Sequence, residues 1–194
     1  MNTKTLALTI LFAVVTIILN PAFTNIVFPF PLATFLFFQI WEIPIVIAFI
    51  LIGPKSGVTI ALLNTLVLLA VFPGASPTGP FYNLAAVLSM LLGIYLAFKL
   101  VASKQRPESS TFRYGTIIVA VSTAFGIIFR VAFMSVVNYV FLRFPPPVGY
   151  SYTELAIIPF IPIVGVFNAI IALYTVPIGM LIANVIKSNL KLQG

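Results

Sequence analysis

Cysteine, histidine and aspartate are absent from this sequence, and glutamate occurs only at positions 42, 108 and 154. Without thiols or imidazoles the chain lacks the usual ligands of zinc, copper, haem and iron–sulfur centres, and every Cys- or His-dependent nucleophilic arrangement. Its three carboxylates are far apart in sequence, so no acid–base pair is legible. An enzyme is not expected, and neither is a resident cofactor or metal.

Charge of either sign is also scarce. Only 7% of the residues are charged, 61% are hydrophobic, and the mean hydropathy of +1.20 lies outside the range of ordinary soluble domains. A helix needs about 20 mainly apolar residues to cross the hydrocarbon core, so 194 residues leave room for about six crossings and short connectors. The expected fold is an all-α integral membrane protein, a compact six-transmembrane-helix bundle forming a single domain over residues 1–194. Hydropathy and breaker residues place its helices at roughly 4–20, 33–52, 56–72, 82–103, 112–141 and 156–187. Pro159, Pro162 and Pro177 predict breaks in the last one. The stretch Leu6–Leu19 is read as a retained first helix, because one basic residue precedes it and no small-x-small cleavage site follows it.

Ten Lys and Arg against three Glu give a formal charge of +7. In a soluble protein this would raise nucleic-acid binding; here the basic residues gather at helix ends, and topology accounts for them. With a cytoplasmic N-terminus, Lys4, Lys55, Lys99, Lys104, Arg106, Arg113, Lys187 and Lys191 all fall on the inner side, and Arg143 alone lies in an outer loop. Both termini are therefore expected in the cytoplasm, with the chain multi-pass in the cell membrane. Gly53-Pro-Lys-Ser-Gly57 lacks the GxxxxGK[ST] spacing of a phosphate-binding loop, so ATP hydrolysis, if used, belongs to another polypeptide.

The outer connections Asn20–Pro31, Pro73–Phe81 and Leu142–Thr153 are rich in Pro, Gly and aromatics. Two readings stay open: stiff loops forming a lid over an outward cavity, or aromatics seated in the interfacial belt. The inner connections differ. Gly53–Gly57 reads as a tight turn and Ser103–Thr111 as a polar linker.

Two ionisable side chains fall inside the apolar stretches. Glu42, in Gln39-Ile-Trp-Glu-Ile-Pro44, is expected near the middle of the second helix, and Arg130 lies a turn or two outward of the midpoint of the fifth. A charge at that depth costs several kcal/mol on insertion scales, so it needs a partner or a ligand. With opposite helix directions the two reach similar depths and can pair, either as a packing device or beside a solute. Asn64, Asn83, Asn138 and Asn168 add amides that need hydrogen-bond partners, as helix glue or as ligand contacts. Tyr82, Tyr139 and Trp41 supply aromatic surface near the outer end for a flat heterocycle. The candidate solute-binding set is Gln39, Trp41, Glu42, Tyr82, Asn83, Arg130, Asn138, Tyr139 and Asn168. Thr9 and Ala13, at small-xxx-small spacing on the first helix, would let a partner's helix approach closely.

Glu42-Ile-Pro44 with Ile52-Gly-Pro-Lys-Ser-Gly57, then Pro80-Phe-Tyr-Asn83, Phe129-Arg-Val-Ala-Phe-Met134 with Asn138-Tyr139, and Pro159-Phe160 with Gly165 and Asn168 follow one another over nearly the whole chain. In that order they resemble the substrate-binding S components of energy-coupling factor (ECF) vitamin transporters, most of all the riboflavin-specific branch. The resemblance implies a six-helix subunit that captures a vitamin from outside and docks on a membrane scaffold protein coupled to two cytoplasmic ATPases. It implies that Asn138 contacts the flavin, that Glu42 stands at the acidic position before Ile-Pro, and that Arg130 is structural or lines the site. It also assigns scaffold docking to the first helix, where the family's AxxxA is reduced to Thr9 and Ala13. In the last helix, Ile161 and Val164 stand where the family pattern PFNLIKG has Asn and Lys. Two other classes remain beside this reading: a solitary or ion-coupled carrier using Glu42, and a structural membrane protein.

Overall fold

Long uncharged stretches become helices because a chain in hydrocarbon must satisfy its backbone internally. The computed structural model describes residues 3–24, 26–71, 78–104 and 111–190. Residues 72–77 of the second outer connection, the linker residues 105–110 and Lys191 lie outside them. Four helices, α4 (Pro54–Val71), α5 (Thr78–Lys104), α6 (Thr111–Phe141) and α7 (Glu154–Leu190), are each long and apolar enough to cross a membrane. The chain is a helical membrane protein. Two further apolar helices, α1 (Thr3–Ile18) and α3 (Glu42–Leu51), are shorter, and Pro21–Thr24 forms a single turn, α2.

The helix expected over 33–52 forms only in its second half. Ala33–Phe37 is instead a strand, β2, paired antiparallel with β1 (Pro29–Phe30), and α3 begins at Glu42. Hydropathy cannot separate an apolar strand from an apolar helix. The separating signals are local: Thr34 and the aromatic run Phe35-Leu-Phe-Phe38 suit a strand, and Pro29 and Pro31 punctuate the hairpin. Pro44 then falls within the first turn of α3, where a helix leaves its N–H groups unpaired anyway. The hairpin is the one sheet among the described residues. It packs Phe30 and Ala33 against Phe167 and Ile171 of α7.

Breaks were expected in the last helix, yet α7 runs on through Pro159, Pro162 and Pro177. The carbonyls that lose a partner belong to Leu155, Ile158 and Leu173, all strongly exposed residues. On that face the helix yields to the proline rings without driving into a neighbour.

Helix α6 packs between α5 and α7, while α3 packs on α7, α4 and α1. The main core joins Ile45, Val46, Ile60, Val87, Met90, Leu91, Ile94 and Val176. Gly53 turns α3 into α4 with φ of +134°, a conformation that favours glycine. At Gly93 a Cβ would stand 2.5 Å from the Phe125 carbonyl oxygen, so α5 and α6 meet backbone to backbone there. Gly93→Ala should therefore cost about 1–3 kcal/mol through overpacking. Gly115→Ala meets nothing within 4 Å and should be neutral or mildly stabilising. Unfolding both variants in SDS-titrated micelles checks the contrast.

The small-residue face of α1 turns inward. Thr9 and Ala13 are 2% and 5% exposed, and the Thr9 hydroxyl donates to Ser56 Oγ of α4 at 2.9 Å. Small residues permit close helix approach, and here the helix that approaches is the chain's own α4. The exposed face of α1 carries Leu6, Ile10, Leu11, Val14 and Ile18.

The connection from α6 to α7 is compact, as its composition predicts. The Leu142 carbonyl accepts from the Tyr150 and Tyr152 N–H groups at 3.2 and 3.0 Å. The Thr78 hydroxyl, at the start of α5, donates to the Pro147 carbonyl at 2.8 Å.

Candidate functional site

Glu42 is the first residue of α3, not a mid-helix residue, because the strand and its exit occupy the chain before it. At a helix N-terminus the aligned peptide dipoles favour its negative charge. Arg130 reaches it from α6, and both side chains are fully buried. The pair is bidentate: Arg130 Nη1 donates to Glu42 Oε2, and Nη2 donates to Oε1 at 2.9 Å.

The rest of the guanidinium is satisfied by neighbours. Its Nε donates to Asn168 Oδ1 of α7 at 2.9 Å, Nη2 also reaches Gln39 Oε1 at 3.0 Å, and Nη1 lies 3.7 Å from Met90 Sδ of α5. All five N–H groups have an acceptor. Asn83 of α5 donates to Gln39 Oε1 at 2.8 Å and to Glu42 Oε1 at 3.1 Å. The Gln39 backbone N–H donates to Tyr174 Oη of α7 at 2.9 Å. Side chains from α3, α5, α6, α7 and the hairpin's exit thus converge on one ion pair inside an apolar bundle.

Such a network is stable only because it is complete. Removing two charges from water costs several kcal/mol each, and attraction between them offsets this only with good geometry and full hydrogen bonding. Neither charged side chain has accessible surface, so the pair does not face an outward-open chamber.

The aromatic hairpin, whose exit carries Gln39 into the network, packs on α7. Phe30 and Phe38 both contact Phe167, with ring centroids 5.4 and 6.4 Å apart, and Phe35 meets Phe160 at 5.6 Å. Phe167 directly precedes Asn168, so one turn of α7 holds both the hairpin and the guanidinium.

Of the nine candidate residues, Gln39, Glu42, Asn83, Arg130 and Asn168 are joined by these bonds. Trp41 and Tyr82 are their sequence neighbours, and each carries a buried polar atom without a hydrogen-bond partner, Trp41 Nε1 and Tyr82 Oη. Asn138 is buried but donates to the Met134 carbonyl of its own helix at 2.7 Å. Tyr139 does not join the site: it is 41% exposed, donates to Glu154 Oε1 at 3.2 Å and lies under the Arg143 guanidinium. Nine residues along α6 from Arg130 make about two and a half turns, which carries Tyr139 to the face opposite the network. Tyr174 and Met90 were missed. A lone tyrosine in the apolar run of the last helix was the available signal for the first; the thioether gave none.

The chain matches no protein-family model and no curated protein sequence.

Proposed function

We propose that this chain is the non-enzymatic solute-binding subunit of an ECF-type vitamin importer. It would take riboflavin or a related flat heterocycle from outside the cell membrane, through a six-helix bundle with both termini cytoplasmic. A membrane scaffold protein and two ATPases would supply the energy. This reading rests on the motif order in the sequence. The structural observation that supports it best is a polar network buried in an apolar bundle, with two residues next to it in sequence, Trp41 and Tyr82, each carrying a buried atom without a partner, Nε1 and Oη. Buried polar groups without partners are costly and uncommon, and a ligand's acceptor atoms would satisfy them.

The direct experiment is to purify the chain, look for yellow colour and flavin fluorescence, and titrate riboflavin followed by a vitamin panel. Binding of another vitamin would keep the architecture and discard the cargo; binding of none would remove the proposal. Tyr82→Phe should weaken binding about 3- to 10-fold, the worth of one neutral hydrogen bond, while leaving thermal stability unchanged or raised.

One observation favours a second reading, a purely structural clamp: every donor of Arg130 is already engaged within the chain. Ion coupling through Glu42 is the poorer alternative, because both its oxygens are held by a permanent cation. Glu42→Gln would then abolish uphill uptake with ligand affinity intact; loss of affinity supports the binding reading.

A further inference from the structure

Two apolar grooves of similar size open on the flanks of the bundle, and they differ in charge. One, of about 680 Å³, runs between α6 and α7 past Val119, Ala120, Ile127 and Leu181, and no charged residue lines it. The other, of about 650 Å³, lies where the start of α1, the end of α3 and the start of α4 meet the middle of α5. Its walls are Phe49, Ile52, Val58, Leu88, Leu91 and Leu92, and Lys55 lines its mouth.

Lys55 is not alone there. Tyr95 also lines the groove, and Lys99 Nζ sits over the Tyr95 ring at 4.9 Å. Thr5 lines it too, and the residue before it is Lys4. All three lysines are exposed. Two helices distant in sequence, α4 and α5, thus bring cations to one apolar groove, and the start of α1 carries a third next to a lining residue. Glu42 and Glu154 are the carboxylates among the described residues: Glu42 is bound to Arg130 in the interior, and Glu154 starts α7 beside Tyr139. Neither lines this groove.

An apolar groove beneath a basic rim, on a protein embedded in lipid, matches a molecule with a hydrocarbon chain and an anionic head. We infer that this groove binds an anionic phospholipid, with an acyl chain along Leu88, Leu91 and Leu92 and the phosphate among Lys55, Lys99 and Lys4. Charge complementarity selects this occupant over a zwitterionic lipid, since each basic residue near a membrane surface contributes roughly a fivefold preference for anionic lipid. The inference needs only the membrane embedding and is independent of the proposed cargo.

The test is native mass spectrometry of the full chain in detergent, titrated with palmitoyl-oleoyl phosphatidylglycerol or the matching phosphatidylcholine. The expected result is one retained phosphatidylglycerol, bound at least about 20-fold more tightly than phosphatidylcholine. Lys55→Gln with Lys99→Gln should reduce that preference about 20-fold. Both residues are exposed, so folding is preserved. Leu92→Trp, which fills the groove, should lower retention of both lipids, whereas Ala120→Trp in the uncharged groove should leave the phosphatidylglycerol in place. Equal retention of the two lipids, or an unchanged preference in the double lysine variant, overturns the inference. So does a chain dimer that Leu92→Trp dissociates. Vitamin titration of the same variants keeps the two proposals apart, because it should be unaffected.

Discussion

Arg130→Met should lower stability by about 3–5 kcal/mol, the largest loss expected of any single substitution in this chain. Removing the guanidinium leaves a carboxylate with no accessible surface and no cation, and strips acceptors Gln39 Oε1 and Asn168 Oδ1 of a donor. The double variant Glu42→Leu, Arg130→Met should recover most of that loss. Replacing both buried charges with apolar groups is often neutral or better, and the bond from Asn83 to Gln39 can persist. A double-mutant cycle followed by SDS unfolding should give a coupling above about 2 kcal/mol. A cost below about 1 kcal/mol for Arg130→Met would mean that water reaches the pair. The double variant also separates the two functional readings. A folded bundle that no longer binds flavin places the pair at the ligand, whereas undiminished binding makes it a clamp.

The ion pair was legible because its chemistry leaves few alternatives. Two opposite charges within apolar stretches of a chain with three Glu residues have few other partners, so Glu42 and Arg130 announce one another. Asn83 and Asn168 followed by the same reasoning, as amides in hydrocarbon seeking acceptors and donors. The long helices were equally plain: α4 to α7 end within a few residues of where hydropathy and breakers place them.

What escaped was whatever hydropathy treats as equivalent. Ala33–Phe37 is as apolar as a helix and forms a strand, which moved Glu42 from a helix middle to a helix start. Thr9 and Ala13 announced a close helix contact, but spacing alone does not say whose helix arrives. Asn138 and Tyr139 are neighbours in sequence, and only the rotation of α6 decides that the first is buried and the second exposed. Each of these depends on three-dimensional context that a one-dimensional pattern does not carry.

Phe167→Ala should open the hairpin without unfolding the bundle. Phe167 is 4% exposed and, among the described residues, is the one ring that touches both Phe30 and Phe38, which themselves meet edge-on at 6.0 Å. Truncating a buried phenylalanine costs about 3 kcal/mol or more, and aromatic pairs add to that. The helical core is independent of this contact, since Met90, Leu91, Ile94 and Val176 belong to a separate apolar cluster. The loss should therefore fall on a local opening, read as roughly 100-fold faster amide exchange across Ala33–Phe37 with α5 and α6 unchanged. If the hairpin closes over a bound heterocycle, the same variant should release it about 100-fold faster, while its association rate changes little. The hairpin keeps other ties to α7 in the variant, the Phe35–Phe160 ring contact at 5.6 Å and the Gln39 N–H donating to Tyr174 Oη at 2.9 Å. Unchanged exchange at residues 33–37 would show that these ties and strand pairing hold the hairpin without Phe167. Faster exchange with unchanged ligand release would show that the hairpin does not cover the ligand.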